Sequence, residues 1–362
     1  MDLLLNEQQL MLQSTVQDLL KRDFPKNLLA EFDAGRATLR EHWNSVLSTG
    51  ILTSLIPEEY GGVDGTFSDA GVIFQELGKG PLPGPHFSSS VLAVNIILEC
   101  GSESQKKKYL QSIAEDKIIF AVAISEFNQF NDCTFTDFHL KNDKLSGSKL
   151  CIPDLGFATH ILIPYSTDAL NQGLCVVPTT SSGVTIKHLK GMSTEQYALS
   201  IEDCVVEDAL EYYEHSAFEN AINKSTALLC SFQVGGLERV FEMSLNYSKT
   251  RYQFGQPIGR FQRVQDHIID IVNFLDAAKW STYEALWKID SNQEFQIGVH
   301  MAASLSSEGY YLACNSAHDV HAGVGIIREY GLTLHTKMSR SLYSYLGNPR
   351  YHRYKIGQSL EL

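Results

Sequence analysis

Two long runs of helical periodicity, STALLCSFQVGGLERVFEMSLNYSKTR over residues 225–251 and FQRVQDHIIDIVNFLDAAKW over 261–280, are separated only by the turn FGQPIG. In each run apolar residues return to one face for many turns. Joined by so short a turn, the runs have little choice but to fold back on each other as a helical hairpin. Two more helical stretches follow, separated by HAGVGIIREYG, so the chain from about residue 214 onward is helical.

The earlier chain has a different texture. Up to about residue 118 it reads as helices: Leu10, Leu12, Val16, Leu19 and Leu20 recur at helical spacing behind Asn6, a cap residue before Glu7. IPEEYGGVDGTFSDAGVIFQELG is a glycine-marked loop that leads into a helix starting at Ser68 or Asp69. GSESQKKKYLQSIAEDK is a further helix with a solvated lysine run. From 119 to 213 the runs IIFAVAIS, ILIPYS, GLCVVPTT, VTIKHLKG and ALSIEDCVVE are short and β-branched, the pattern of strands in a small barrel or sandwich. Helices, then strands, then helices is an α+β organisation, expected as domains 1–118, 119–213 and 214–362.

The 362 residues suffice for a large core in more than one domain, and a net charge of −13 argues against nucleic acid or an anionic membrane as the main partner. Seven scattered cysteines form no CxxC pair, the start lacks a basic signal-peptide pattern, and no run reaches spanning length. A reducing cytoplasm is the expected location.

The turn between the two long helices carries chemistry of its own. Pro257 presets it, and Gly255 and Gly259 permit backbone angles other residues resist. Arg251 closes the first helix, Phe254 offers a ring, and Gln262 and Gln265 are neutral donors. Two readings stand side by side: an arginine that satisfies helix carbonyls, or a guanidinium fork that grips a pyrophosphate.

RYQFGQPIGRFQRVQ resembles the R-x-Q-F-G-x-P-I-x-x-F-Q-x-V-Q signature of the flavin-dependent acyl-CoA dehydrogenase family. The resemblance runs along nearly the whole chain. PEEYGG is similar to the family's N-terminal loop, GSESQKKKYL to its G-S-x-E-Q-K-x-x-x-L helix, LSGSKLCIP to its N-G-x-K-x-W-I-T strand, and HAGVGIIREYGL to its H-G-G-x-G loop. It implies an N-terminal α-helical domain, a middle β-barrel domain and a C-terminal four-helix bundle, usually assembled as dimers of dimers. It also implies an FAD lying between the β domain of one subunit and the C-terminal helices of its neighbour. On that pattern Arg251, Phe254, Gln262, Gly323 and Gly325 bind the cofactor.

Several positions depart from the family. Asp319 stands where a glutamine near the flavin phosphates is usual, and a carboxylate there repels pyrophosphate unless protonated or paired. The T-E-P-x-x-G-S-D segment has become ISEFNQFND, keeping Ser125 and Glu126 but bringing in Phe127 and Phe130. The W-I-T strand has become Cys151-Ile152-Pro153, which removes an aromatic wall and an amide donor. The Y-E-G triplet that supplies the base removing the α proton has become Tyr345-Leu346-Gly347. Leucine keeps the backbone N–H that polarises a thioester carbonyl but cannot accept a proton. The places where some relatives carry the base instead hold Ser225 and Phe232. Glu238, Glu242 and Glu329 are the remaining nearby acids, expected in ion pairs, solvent or a structural role. No catalytic residue is therefore assigned. His318, His321 and His335 lack a carboxylate cluster at ligand spacing, so no metal is expected, and His321 fits the family's loop histidine.

The preferred expectation is a subunit of a mixed acyl-CoA dehydrogenase that completes the flavin site of a homologous partner owning the base. Heteromeric members act on bulky acyl-CoAs such as steroid side chains, and an electron-transfer flavoprotein is a candidate acceptor. The alternatives are a homomeric dehydrogenase with a relocated base and a non-catalytic scaffold.

Overall fold

The structure is a computed structural model that describes residues 4–124, 138–167, 171–211 and 213–361. The chain opens with α1 (Glu7–Asp23), α2 (Lys26–Asp33), α3 (Trp43–Leu47), α4 (Phe67–Lys79), α5 (Val94–Cys100) and α6 (Glu103–Ala114). Strands follow: β1 (Phe120–Val122), β2 (Phe138–Lys141), β3 (Lys144–Pro153), β4 (His160–Ser166), β5 (Gln172–Pro178), β6 (Val184–Leu189), β7 (Gln196–Val205) and β8 (Asp208–Ala209). Then come α7 (His215–Thr250), a small hairpin of β9 (Tyr252–Gln253) and β10 (Gln256–Pro257), α8 (Gln262–Asp290), α9 (Gln296–His321), α10 (Leu332–Leu342) and α11 (Pro349–Ser359). No helix among the described residues is long and apolar enough to cross a membrane. The six described cysteines are free.

Chain contacts separate two compact units, residues 46–66 with 83–225 and residues 1–45 with 67–82 and 226–362. The first holds one eight-stranded sheet in the order β6-β7-β3-β2-β4-β5-β8, with β1 parallel to β4. Ala121, Phe138, Ile152, Ile163, Val177 and Ile201, from strands spread across that order, share one buried cluster against which Val184 and Ile186 of β6 also pack. Side chains so far apart in strand order reach one core only if the sheet curls on itself, as a barrel does. β3 bulges between Lys149 and Ile152, and there Cys151 takes a positive φ of 60° and faces solvent.

Just past this bulge lies a buried carboxyl. Asp154 is 5% exposed, sits at φ 55°, and its Oδ1 has no hydrogen-bond partner. Its backbone N–H donates to the Glu195 carbonyl. Burial, with the Glu195 carboxylate adding to it, pushes the Asp154 carboxyl up to about 8.

The second unit contains α7 from Thr226 onward with α8, α9 and α10, and in it α9 packs on α8, α10 and α11, and α1 on α4. α4 crosses α7 at backbone contact. A Cβ added at Gly78 would lie 1.9 Å from the Phe232 carbonyl oxygen, and one added at Gly235 would lie 1.8 Å from that of Gln75. Only hydrogen on both Cα atoms lets two helices come this close. The N-terminus of α4 is capped from far along the chain: the Phe67 and Ser68 amides donate to the Asp290 carboxylate at 2.7 and 3.0 Å. α4 accordingly begins at Phe67, just before Ser68 and Asp69, the expected starts.

Two stability outcomes follow. Gly235→Ala forces the crossing apart and costs roughly 3 kcal/mol, read as a lowered urea midpoint at unchanged slope. Asp154 keeps its proton in the folded state between its ordinary value of 3.8 and about 8, whereas the unfolded chain releases it. Wild-type stability therefore falls as pH rises through that window. Asp154→Asn removes the dependence, so its advantage in melting temperature should grow from pH 5 to pH 8; a constant or shrinking difference contradicts the assignment.

Candidate functional site

The turn after α7 is a two-residue hairpin. Gln253 pairs with Gln256 and Tyr252 with Pro257, and the central residues Phe254 and Gly255 both have positive φ, 52° and 80°. That is what a hairpin closing on the strands' own twist requires, and glycine meets the requirement at no steric cost. Phenylalanine does not, yet it is held there with its ring 90% exposed, touching only the edge of Phe261 at 6.0 Å. A large apolar ring kept in solvent on a strained backbone is an unusual feature for a protein surface.

Arg251 leads into this hairpin. Its amide donates to the Tyr247 carbonyl and its carbonyl accepts from Ile258, so the backbone is fixed on both sides. Its side chain is exposed, and the guanidinium has no carboxylate partner among the described residues. The reading in which Arg251 satisfies helix carbonyls finds no such side-chain bond. Gln262, the first residue of α8, is exposed as well, whereas the Gln265 amide is engaged by the Gly259 carbonyl at 2.9 Å.

The glycine loop comes to the same end of the bundle. At the end of α9, His321 is buried. Its Nδ1 donates to the Ala317 carbonyl at 2.7 Å, its Nε2 accepts from the Tyr330 hydroxyl at 2.9 Å, and its ring stacks on Tyr247 at 4.6 Å. Burial holds its pKa below the ordinary value, and the neutral ring fits these bonds. Tyr247 stands one turn before Arg251, so His321 ties the loop to the hairpin. Within the loop, a Cβ on Gly325 would lie 2.9 Å from His318 Nδ1, which makes that glycine a packing requirement. Gly323 is exposed with open space beyond its Cα, which leaves room for close approach to its backbone. Asp319 is exposed, with its carboxylate 3.9 Å from Nδ1 of His267 on α8. The unwelcome charge thus has a basic neighbour. Tyr247, Tyr330 and His267 were not singled out by sequence reasoning, and nothing in their spacing marks them; their roles come from packing between helices.

Among the described residues, none of the acids weighed as a base has the surroundings of one. Leu346 is 1% exposed, and Gly347 after it turns at φ 110°. Ser225 and Phe232 are buried, and the Ser225 hydroxyl donates to the Ala221 carbonyl. Glu238 lies 3.1 Å from Lys79 and 3.8 Å from Lys279 and accepts from Gln75 at 2.8 Å. Burial would raise its carboxyl, but the two lysines and the amide outweigh that and hold it below the ordinary glutamate value. A carboxylate so stabilised is a poor proton acceptor. Glu242 pairs with Arg239 at the surface, and Glu329 is exposed. His318 donates or accepts at Thr336, and His335 bonds the Tyr310 hydroxyl; among the described residues no three potential metal ligands gather.

The residues therefore fit one half of a dinucleotide site. The bundle end offers an unpaired guanidinium, an exposed ring and an approachable glycine. The strand end fits less well, because Pro153 has no amide to donate and Cys151 replaces the aromatic wall. Ser125, Glu126, Phe127 and Phe130 lie outside the described residues.

The acyl-CoA dehydrogenase N-terminal domain matches residues 6–117 and the C-terminal domain residues 216–361. A probable acyl-CoA dehydrogenase of Bacillus subtilis, YngJ, is 26% identical over 349 residues, 91% of each chain. Among solved structures, the ChsE4-ChsE5 complex from Mycobacterium tuberculosis superposes with a TM-score of 0.87 at 23% identity, over 100% of this chain and 99% of that one. The FAD complex of PigA superposes with a TM-score of 0.89 at 23% identity over the whole of both chains. With both helical domains matched and the family's turn, loop and curled sheet in place, the chain belongs to the acyl-CoA dehydrogenase family.

Proposed function

We propose that this chain is a subunit of an FAD-dependent acyl-CoA dehydrogenase and that it completes the flavin site of a homologous partner chain rather than running a complete site of its own. The cofactor of this family is FAD. The observation that carries the proposal is a pair of opposites. The bundle end presents Arg251 unpaired and Phe254 in solvent, while the position of the family's base is a buried leucine.

In the assembled site Arg251, Phe254 and Gln262, with the backbone at Gly323, would hold the partner's FAD, and Gly325 would let the loop pack tightly enough to bring Gly323 forward. The bound flavin supplies the acceptor for the hydride leaving the acyl β carbon. Arg251 contributes a fork suited to two phosphate oxygens, and its fixed backbone means little ordering cost on binding. Phe254 contributes an apolar face that loses its exposure on assembly. The partner's carboxylate removes the α proton, since Glu238 is held ionised by two lysines and Leu346 cannot take one. A relocated base within this chain finds no support in these surroundings.

The substrate is an acyl-CoA, and by analogy with heteromeric members the acyl group is bulky, the room for it coming from the site that does no chemistry. An electron-transfer flavoprotein is the natural acceptor class. The free cysteines fit a reducing cytoplasm.

Co-expression with a homologous dehydrogenase chain should yield a yellow complex, and the lone chain should be colourless in its visible spectrum. Arg251→Ala in this chain should weaken FAD retention by the complex about 10- to 100-fold, the worth of a charge-assisted forked contact, without dissolving the assembly. A lone chain purified with stoichiometric FAD and able to oxidise an acyl-CoA would falsify the proposal.

A further inference from the structure

The helical unit contains a cleft of about 550 Å3 that none of the flavin residues line. Its walls come from α1, α2, the end of α4, α7 and α10. Leu20, Phe24, Leu29, Met243 and Leu334 make it largely apolar. The volume falls in the range of small-molecule sites, roughly 300–1,000 Å3.

Its charges are unevenly settled. On the floor, Glu76 is 2% exposed and fully engaged, by Lys79 at 2.9 Å and by the side-chain amides of Gln13 and Gln17 at 2.8 and 3.2 Å. At the edge, Glu242 pairs with Arg239 at 3.1 Å. Both acids lining the cleft are thus neutralised. Lys21 and Lys26, also lining it, have no carboxylate partner among the described residues; Lys26 donates to the Tyr330 carbonyl at 3.3 Å and lies 5.9 Å from the centre of that residue's ring. The result is an apolar trough whose lining includes two lysines without a carboxylate partner among the described residues, in a protein whose overall charge is strongly negative.

We infer that this cleft binds an amphipathic anion: a free carboxylate with an apolar body, its head between Lys21 and Lys26 and its body against Leu20, Phe24, Leu29 and Leu334. A neutral apolar molecule would leave both lysines facing an empty position. An acidic head completes them, as charge complementarity requires. The inference does not rest on the flavin reading: none of Arg251, Phe254, Gln262, Gly323 and Gly325 lines the cleft, and the one link is Tyr330, which lines the cleft and bonds His321.

Binding is read by the fluorescence of a dansylated undecanoate added to the full chain, purified with its partner where one co-purifies. Saturable binding is expected. Decanoate should displace the probe, with decanol about tenfold weaker for want of the charge. The double variant Lys21→Glu/Lys26→Glu should weaken decanoate about fivefold or more, two exposed charge contacts being lost and reversed. Arg251→Ala should bind the probe as the wild type does. Equal displacement by decanol and decanoate, an unaffected double variant, or loss of binding in Arg251→Ala would each overturn the inference. The decanol comparison uses the unaltered protein, so it decides the matter even if a variant misfolds.

Discussion

The bundle depends on one close approach: α4 and α7 cross with Gly78 against the Phe232 carbonyl and Gly235 against that of Gln75. Ordinary helix pairs stand apart by the length of their side chains. Here backbone meets backbone, and α7 is fixed in position along its middle. Arg251 and Phe254, two of the residues in the proposed chemistry, hang from that helix. Glu238 sits one turn beyond Gly235, and Arg251 with the hairpin follows at its end. A small change in the crossing would move the guanidinium and the buried carboxylate together.

The close approach also explains the charge network beside it. With α4 drawn against α7, Lys79 reaches both Glu76 and Glu238, and Gln75 is placed between Glu238 and the Tyr283 hydroxyl. Burying two carboxylates near each other is costly unless cations and amides share the site. Lys79 bridges them, Lys279 adds a second charge, and the glutamines of α1 satisfy the remaining oxygens of Glu76. This is a structural solution. It leaves no carboxyl with a raised proton affinity in the middle of α7, and so it removes the best candidate for a base within this chain.

At the far end of α7 a different logic holds. Residues there are left unsatisfied: Phe254 on a strained backbone in solvent, Arg251 unpaired, Gly323 open. That contrast, buried charges closed in one place and a cation and a ring exposed in another, is what supports the proposal that the second place holds the cofactor. His321, bonded on both nitrogens and stacked on Tyr247, keeps the loop and the hairpin in register at that place.

Much of this could be read from the order of residues. The helical period on both sides of FGQPIG, the Gly255 turn and the Asn6 cap, which does accept from the Gln9 amide, are local properties, and local sterics and hydrogen bonds decide them. The missing acid at Leu346 is equally plain, because no packing turns leucine into a base. Tertiary structure alone decided what lies far apart in the chain. Asp290 caps α4 from more than two hundred residues away, Tyr247 and Tyr330 hold His321, and His267 faces Asp319. Asp154 has the composition of any loop aspartate, and only enclosure beside Glu195 keeps it protonated. Burial and approach distance set these energies, and neither is a property of a residue's neighbours in sequence.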